Sequence, residues 1–198
     1  MTHIVDQADR MSHIINHVRL FAREAGKLEL EMVDVNEVVA AATSLLQAQF
    51  DSHGVILHVI READLSAVLA NSFSLEEVFL NLLNNARQAV EESPNRLSAV
   101  VRIQTKSTNG DAGRAGVLVE VSDNGAGIPA EILGKVFDPF FTTKGPDEGT
   151  GLGLSVSKSI VETFDGQLQI ESAPGEGTVV SVRLPEAEVP AHAGTAPT

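Results

Sequence analysis

In Asn81-Leu82-Leu83-Asn84-Asn85-Ala86-Arg87-Gln88-Ala89, the amides of Asn81, Asn85 and Gln88 recur at intervals of four and three. That spacing puts them on one face of a helix, with Val78, Leu82, Leu83 and Ala86 on the side suited to burial. An amide side chain both donates and accepts hydrogen bonds. A stripe of amides on a helix otherwise built to pack is costly unless it meets a ligand or water. A solvated face and a ligand-facing one both satisfy that condition. Three glycine-bearing segments add chemistry of other kinds. Asp123-Asn124-Gly125-Ala126-Gly127-Ile128 sets a carboxylate at a turn that needs glycine, ahead of a helix whose start Pro129 marks. Gly149-Thr150-Gly151-Leu152-Gly153-Leu154 opens the next helix, where unpaired amides and the helix dipole favour phosphate. Gly175-Glu176-Gly177-Thr178 reads as a hairpin entering the last strand. Taken singly, each is an ordinary turn.

Regular elements must hold these segments in place. The amide stripe lies on a predicted helix over 74–91, opened by the capping-box pattern Ser74-x-x-Glu77 and ended before Pro94. A second helix is predicted over 151–164, and a third over 35–50 with Asp34 or Asn36 as its cap. Leu28, Leu30 and Met32 alternate with charged residues as a short strand does, and strand-like runs recur at 55–60, 99–105, 117–122, 167–171 and 178–184. Residues 107–116 read as a polar hairpin loop, and the tail 185–198, rich in Ala, Pro and Gly, as disordered. This mixture predicts an α/β two-layer sandwich, a mixed sheet with helices on one face, over residues 27–184. Ahead of it, Ile4, Ala8, Met11, Ile15, Val18 and Ala22 form a heptad seam, so residues 3–24 read as one bundle helix that stops near Gly26. Its stripe needs a partner helix to be buried.

Bulk properties narrow the function. A chain of 198 residues, 43% apolar, is long enough for one sizeable core. It has no apolar run of membrane-spanning length, and with no cysteine it has no disulfide or thiolate metal site, which fits a reducing cytoplasm. The net charge of −13 opposes nonspecific binding to nucleic acid or to an anionic membrane. If such a chain binds a polyanion, positive potential must be concentrated locally, by helix-start amides, a metal ion and a few basic side chains.

The order of the segments carries more than any one of them. An Asn-rich helix, then DNGAGI, then Phe137-Asp138-Pro139-Phe140-Phe141-Thr142-Thr143-Lys144, then GTGLGL, then GEGT, closely resembles the successive N, G1, F, G2 and G3 boxes of sensor histidine kinases. These kinases belong to the GHKL group of ATPases, with type II topoisomerases, heat-shock chaperones and mismatch-repair proteins, and share the Bergerat-type nucleotide fold. The resemblance covers nearly all of residues 28–184. It implies that Asp123 accepts a hydrogen bond from the adenine amino group. Gly125, Gly127 and Ile128 would bring backbone to the base, and Thr178 would support that end of the pocket. Asn85 would be the Mg²⁺ ligand, with Asn81 and Gln88 lining the same face. Lys144 and the segment Gly149, Thr150, Gly151, Leu152, Gly153 and Leu154 would meet the triphosphate. Residues 137–150, Phe137 and Thr143 among them, resemble the mobile ATP lid; for Phe137, Phe140 and Phe141 the alternative is ordinary core packing.

Residues 10–23 resemble the second helix of that family's dimerisation and phosphotransfer hairpin, so residues 1–26 read as part of it. The phosphorylated histidine of that hairpin lies on its first helix and precedes an acidic residue. Here His3 precedes Ile4, His13 precedes Ile14 and His17 precedes Val18, so the acceptor is expected to lie outside this sequence. The resemblance implies a kinase module that binds ATP or ADP with Mg²⁺, works as a homodimer in the intact kinase, and serves a response-regulator receiver domain. Two other readings stay open: a hydrolytic ATPase clamp, and a nucleotide-sensing module without catalysis. Asn81 bears on the first, because hydrolytic relatives carry a water-activating glutamate four residues before the metal asparagine.

Overall fold

The computed structural model describes residues 29–93, 98–109, 115–143 and 150–187. The heptad helix expected over 3–24 and the tail beyond Ala187 lie outside these residues. Two strands, β1 (Glu31–Val33) and β3 (Val68–Ala70), pair antiparallel with Met32 opposite Leu69. Between them run helix α1 (Val35–Ser52) and strand β2 (Ile56–Arg61). Then follow α2 (Ser72–Glu92), β4 (Val100–Asn109), β5 (Ala115–Asp123), the single turn α3 (Ala130–Leu133), α4 (Gly153–Thr163), β6 (Gln167–Ala173) and β7 (Gly177–Pro185). The main sheet has the order β2-β4-β5-β7-β6, with β2 parallel to β4 and the other neighbours antiparallel, as the expected mixed sandwich requires.

Period-two patterning decides which face of the sheet is covered. Val101, Ile103, Val117, Val119, Val121, Val180, Val182 and Leu184 point into the core, while Arg102, Gln104, Lys106 and Glu120 stand on the other face. Helix α2 packs on β4, β5 and β7 and touches α1 and α4 on its flanks. Leu75, Val78, Phe79, Leu82, Leu83, Ala86 and Val90 form its buried side. Full burial of a Leu, Val or Phe side chain stabilises by roughly 1.5–3 kcal/mol, so this one stripe fixes the orientation of the whole helix. Its amide face is thereby turned away from the sheet.

The structure moves several expected boundaries. Asn71, not Ser74, caps α2: its side chain accepts the Ser74 N–H at 3.0 Å and the Ser74 hydroxyl at 3.1 Å. The chain leaves β3 at Ala70 and turns at once, so the helix starts earlier than the capping-box pattern suggests. Asp34 caps α1, accepting the Asn36 N–H at 2.8 Å. Asn36 instead accepts the Thr105 hydroxyl at 2.7 Å and donates to the Glu62 carbonyl at 2.8 Å. Both ends of the expected 107–116 loop are strand: β4 and β5 pair out to Asn109 and Ala115, because polar side chains on a solvated face do not interrupt pairing. Residues 185–187 also belong to the fold and not to the tail. Pro185 ends β7, Glu186 bridges Val68, and the Ala187 N–H donates to the Ala67 carbonyl at 2.8 Å. Pro129 sits at the cap of α3 and not inside it. No described helix is long and apolar enough to cross a membrane.

Candidate functional site

Strand pairing builds the Asp123 end. Asp123 closes β5 directly opposite Thr178 of β7, and the chain then turns through Gly125 and Gly127 over the β6–β7 hairpin. The carboxylate accepts the Gly125 N–H at 2.8 Å and also the backbone N–H of Thr178. Burial pushes its pKa up to about 6 and outweighs those two bonds, which favour the charged form. The group is thus a desolvated acceptor whose remaining lone pairs can serve a ligand. Glycine is required at 127, where φ is +69° and an added Cβ would lie 2.0 Å from the Ala173 carbonyl oxygen. At Gly125 an added Cβ would lie 2.6 Å from the carbonyl of Ala89 in α2.

Two residues missed in the sequence complete this end. The Ser172 hydroxyl accepts the Ile128 N–H at 2.8 Å, donates to the Gly177 carbonyl at 2.7 Å and lies 3.0 Å from the Thr178 hydroxyl. The Asn124 side chain accepts the Val100 N–H at 2.9 Å and donates to the Ser98 carbonyl at 2.6 Å, tying the loop to the start of β4. Asn124 stands inside the DNGAGI segment, so its position was a usable signal. Ser172 lies just past the strand-like run expected over 167–171, and only tertiary pairing gives it a role.

The other end is built from α2 and α4. Asn81 Nδ2 donates to the Ser157 hydroxyl at 2.9 Å, and the Asn81 Oδ1 sits where a Cβ on Gly153 would be, 2.3 Å away. Asn81 is therefore a link between two helices, a role its place in the amide stripe did not disclose. The signal for Ser157 was a serine within the apolar stripe Val156, Ile160 and Val161. At the N-terminus of α4, Leu152 occupies the cap without a side-chain bond, and its own N–H reaches the Thr150 hydroxyl at 3.4 Å. Gly151, at φ +65°, lets the backbone of Phe140 pass within 2.4 Å of where its Cβ would be.

Asn85 lies one turn after Asn81 and one turn before Ala89, whose carbonyl accepts the Ala126 N–H at 3.3 Å. It thus stands between the two ends. Its half-buried amide makes no hydrogen bond with a described residue. Gln88 shares that face and is half-buried. The three phenylalanines diverge. Phe137 packs against the core with Lys158 Nζ 5.0 Å from its ring centre, Phe141 is half-buried, and Phe140 is 75% exposed at φ +66°. Thr143 is exposed and Leu154 half-buried, whereas Lys144 and Gly149 lie outside the described residues. A small cavity lined by His53, Val55, Val90, Glu91 and Ala99 includes none of the expected residues.

Among the described residues no three His, Cys, Asp or Glu side chains cluster as a metal cage would. The donor set instead suits a hard ion held jointly by ligand oxygens and one amide, and the disengaged amide of Asn85 fits that part.

The profile of the family described as histidine kinase-, DNA gyrase B-, and HSP90-like ATPase matches residues 70–188. The sensor histidine kinase TmoS of Ectopseudomonas mendocina is 31% identical over 93% of this chain, which spans 18% of that relative. The C4-dicarboxylate transport sensor protein DctB of Rhizobium meliloti is 33% identical over 94% of this chain, which spans 28% of it. Less than a third of the length of either curated relative is therefore represented here. A nucleotide-free structure of the catalytic domain of the histidine kinase ThkA superposes with a TM-score of 0.66 at 27% identity, covering 80% of this chain and 96% of that one.

Proposed function

The chain belongs to the family of histidine kinase-, DNA gyrase B- and HSP90-like ATPases, with the ATP-binding domain of a sensor histidine kinase, and from that membership we propose that it binds Mg·ATP and supplies the γ-phosphate to a histidine. The observation that carries this reading is the half-buried Asp123 carboxylate, held by the N–H groups of Gly125 and Thr178 and left with acceptor capacity. It suits the exocyclic amino group of adenine, with Gly127 allowing the base to approach the backbone. Asn85 would hold Mg²⁺, with Gln88 beside it. The ion, when bound, would neutralise charge on the phosphates. The unclaimed amides at the start of α4, with Lys144, would meet the triphosphate. Transfer would then rest on positioning and charge neutralisation more than on covalent chemistry by the protein.

Hydrolysis is the weaker reading. Asn81 stands four residues before Asn85, its amide has no basic lone pair, and its Nδ2 is committed to Ser157. None of the six histidines precedes an acidic residue. In the proposed reading the acceptor histidine therefore comes from a hairpin helix supplied in cis or in trans, within a homodimer in the cytoplasm. A response-regulator aspartate would receive the phosphoryl group.

Calorimetry with Mg·ATP and ADP tests the binding. Loss of a charge-assisted bond to a buried base corresponds to roughly 1.5–3 kcal/mol, so Asp123→Ala is expected to weaken binding about tenfold to a hundredfold. Equal affinity would remove the adenine assignment. With γ-labelled ATP, the isolated chain is expected to stay unlabelled while an added acceptor hairpin gains acid-labile label. Label on His13 or His17 would show that residues 3–24 are the acceptor helix.

A further inference from the structure

We propose that Ser157 is a positioning residue for the phosphate end of the site: by accepting the Asn81 N–H, it holds the start of α4 against α2 before nucleotide arrives. This rests on the nucleotide reading above and assigns a task to a residue that contacts no ligand in that reading. Three observations support it. Ser157 is 2% exposed, on the face of α4 that otherwise presents Val156, Ile160 and Val161. A hydroxyl there is costly unless bonded, and the Asn81 amide at 2.9 Å provides the partner. The bond also orients that amide. With Nδ2 on Ser157, Oδ1 is turned to the Cα of Gly153, at the spot a side chain would take. The absence of a side chain at Gly153 is therefore what leaves room for the amide in this rotamer. Finally, α4 has no side-chain cap of its own, and the described local bond to an amide of Gly151 to Leu154 is the long one from the Leu152 N–H to the Thr150 hydroxyl, at 3.4 Å.

The consequence is a split between base and phosphate recognition. The Asp123 loop contacts α2 at Ala89, two turns from Asn81, and shares no described hydrogen bond with Ser157. Removing the hydroxyl is therefore expected to loosen the phosphate cradle and leave the adenine end intact.

The test compares wild type, Ser157→Ala, Ser157→Thr and Asn81→Ala. Calorimetry is run with ATP, ADP and adenosine, and hydrogen exchange is followed in the free protein. In Ser157→Ala, affinity for ATP and ADP is expected to fall about threefold to tenfold, the range for one neutral hydrogen bond, with adenosine unchanged. Exchange at residues 151–156 should speed up while β4, β5 and β7 keep wild-type protection. Ser157→Thr, which keeps the acceptor, should restore both. Asn81→Ala combined with Ser157→Ala should lose less than the sum of the two. Unchanged exchange at 151–156 in Ser157→Ala, or equal losses for adenosine and ATP, would overturn the assignment and leave Ser157 a packing residue. Failure of the wild type to bind any of the three ligands would instead sink the nucleotide reading, and the exchange data would still decide whether the link orders α4.

Discussion

At the Asp123 end the polar groups are paired largely through backbone: Gly125 and Thr178 hold the carboxylate, Ser172 takes the Ile128 N–H, and Asn124 binds β4. At the α4 end the described connection is one side-chain bond, Asn81 to Ser157, and Asn85 is left without a described partner. The first end rests on strand pairing, which the whole core stabilises. The second rests on how two helices lie against each other. In the proposed reading, a rigid seat for the base and an adjustable one for the phosphates would suit a ligand whose base stays fixed while its terminal phosphate departs. The comparison can be broken or sharpened by substitutions at each end.

The largest effect is expected at Gly127. An alanine there combines φ +69° with a Cβ 2.0 Å from the Ala173 carbonyl oxygen, and the obstacle is backbone that cannot swing aside. Left-handed strain alone is worth about 1–3 kcal/mol, so Gly127→Ala should lower the unfolding midpoint clearly and abolish nucleotide binding by calorimetry. A variant that binds normally would show that the Asp123 end is less rigid than its bonding implies.

Asp123 gives a pH-dependent effect of the next size. Its folded pKa of about 6 lies above the ordinary 3.8, so its contribution to stability is complete below 3.8 and is lost as pH rises through 6. Above that the half-buried carboxylate is charged. Asp123→Asn removes this titration. The difference in urea midpoint between Asp123→Asn and wild type should therefore move in favour of the variant between pH 4.5 and 7.5. Nucleotide affinity of the wild type should fall as pH drops below about 6. A difference that does not vary with pH would mean that the carboxylate titrates normally.

Asn85→Ala is expected to leave folding unchanged and to weaken binding only when Mg²⁺ is present, by roughly the few-fold to tenfold worth of one polar contact. Calorimetry with and without the ion separates the two. The smallest effect belongs to Lys158→Ala, which removes a cation–π contact of 5.0 Å to Phe137 at a partly exposed site. Such contacts contribute about 0.5–1 kcal/mol, enough to shift thermal unfolding by a few degrees at most.

The elements with strong periodicity were legible in the sequence: the α2 stripe from Val78 to Ala86 and the alternating runs that became β4, β5 and β7. The three-residue strand β3 was not, because Val68–Ala70 is too short to show a period and exists through its pairing with β1. Likewise the cap of α2 depended on where β3 releases the chain. At the site, glycine-bearing segments were visible because their backbone demands restrict residue type. Asn81 was visible as an amide, but its partner was not, since Ser157 lies 76 residues away and only the packing of α4 on α2 brings them together. Sequence thus exposes what a residue offers, and the fold decides which offers are already taken.

Along α2, Asn81, Asn85 and Ala89 are successive steps of four residues. At about 1.5 Å rise per residue, the contact with α4 and the contact with the Asp123 loop are separated by roughly 12 Å of helix axis. In the proposed reading the helix works as a gauge: the distance from base seat to phosphate seat would be set by helical rise and not by the length of any loop. A single residue inserted between Asn81 and Ala89 would lengthen it by only about 1.5 Å, yet it would turn one contact by about 100° relative to the other and put both seats out of phase.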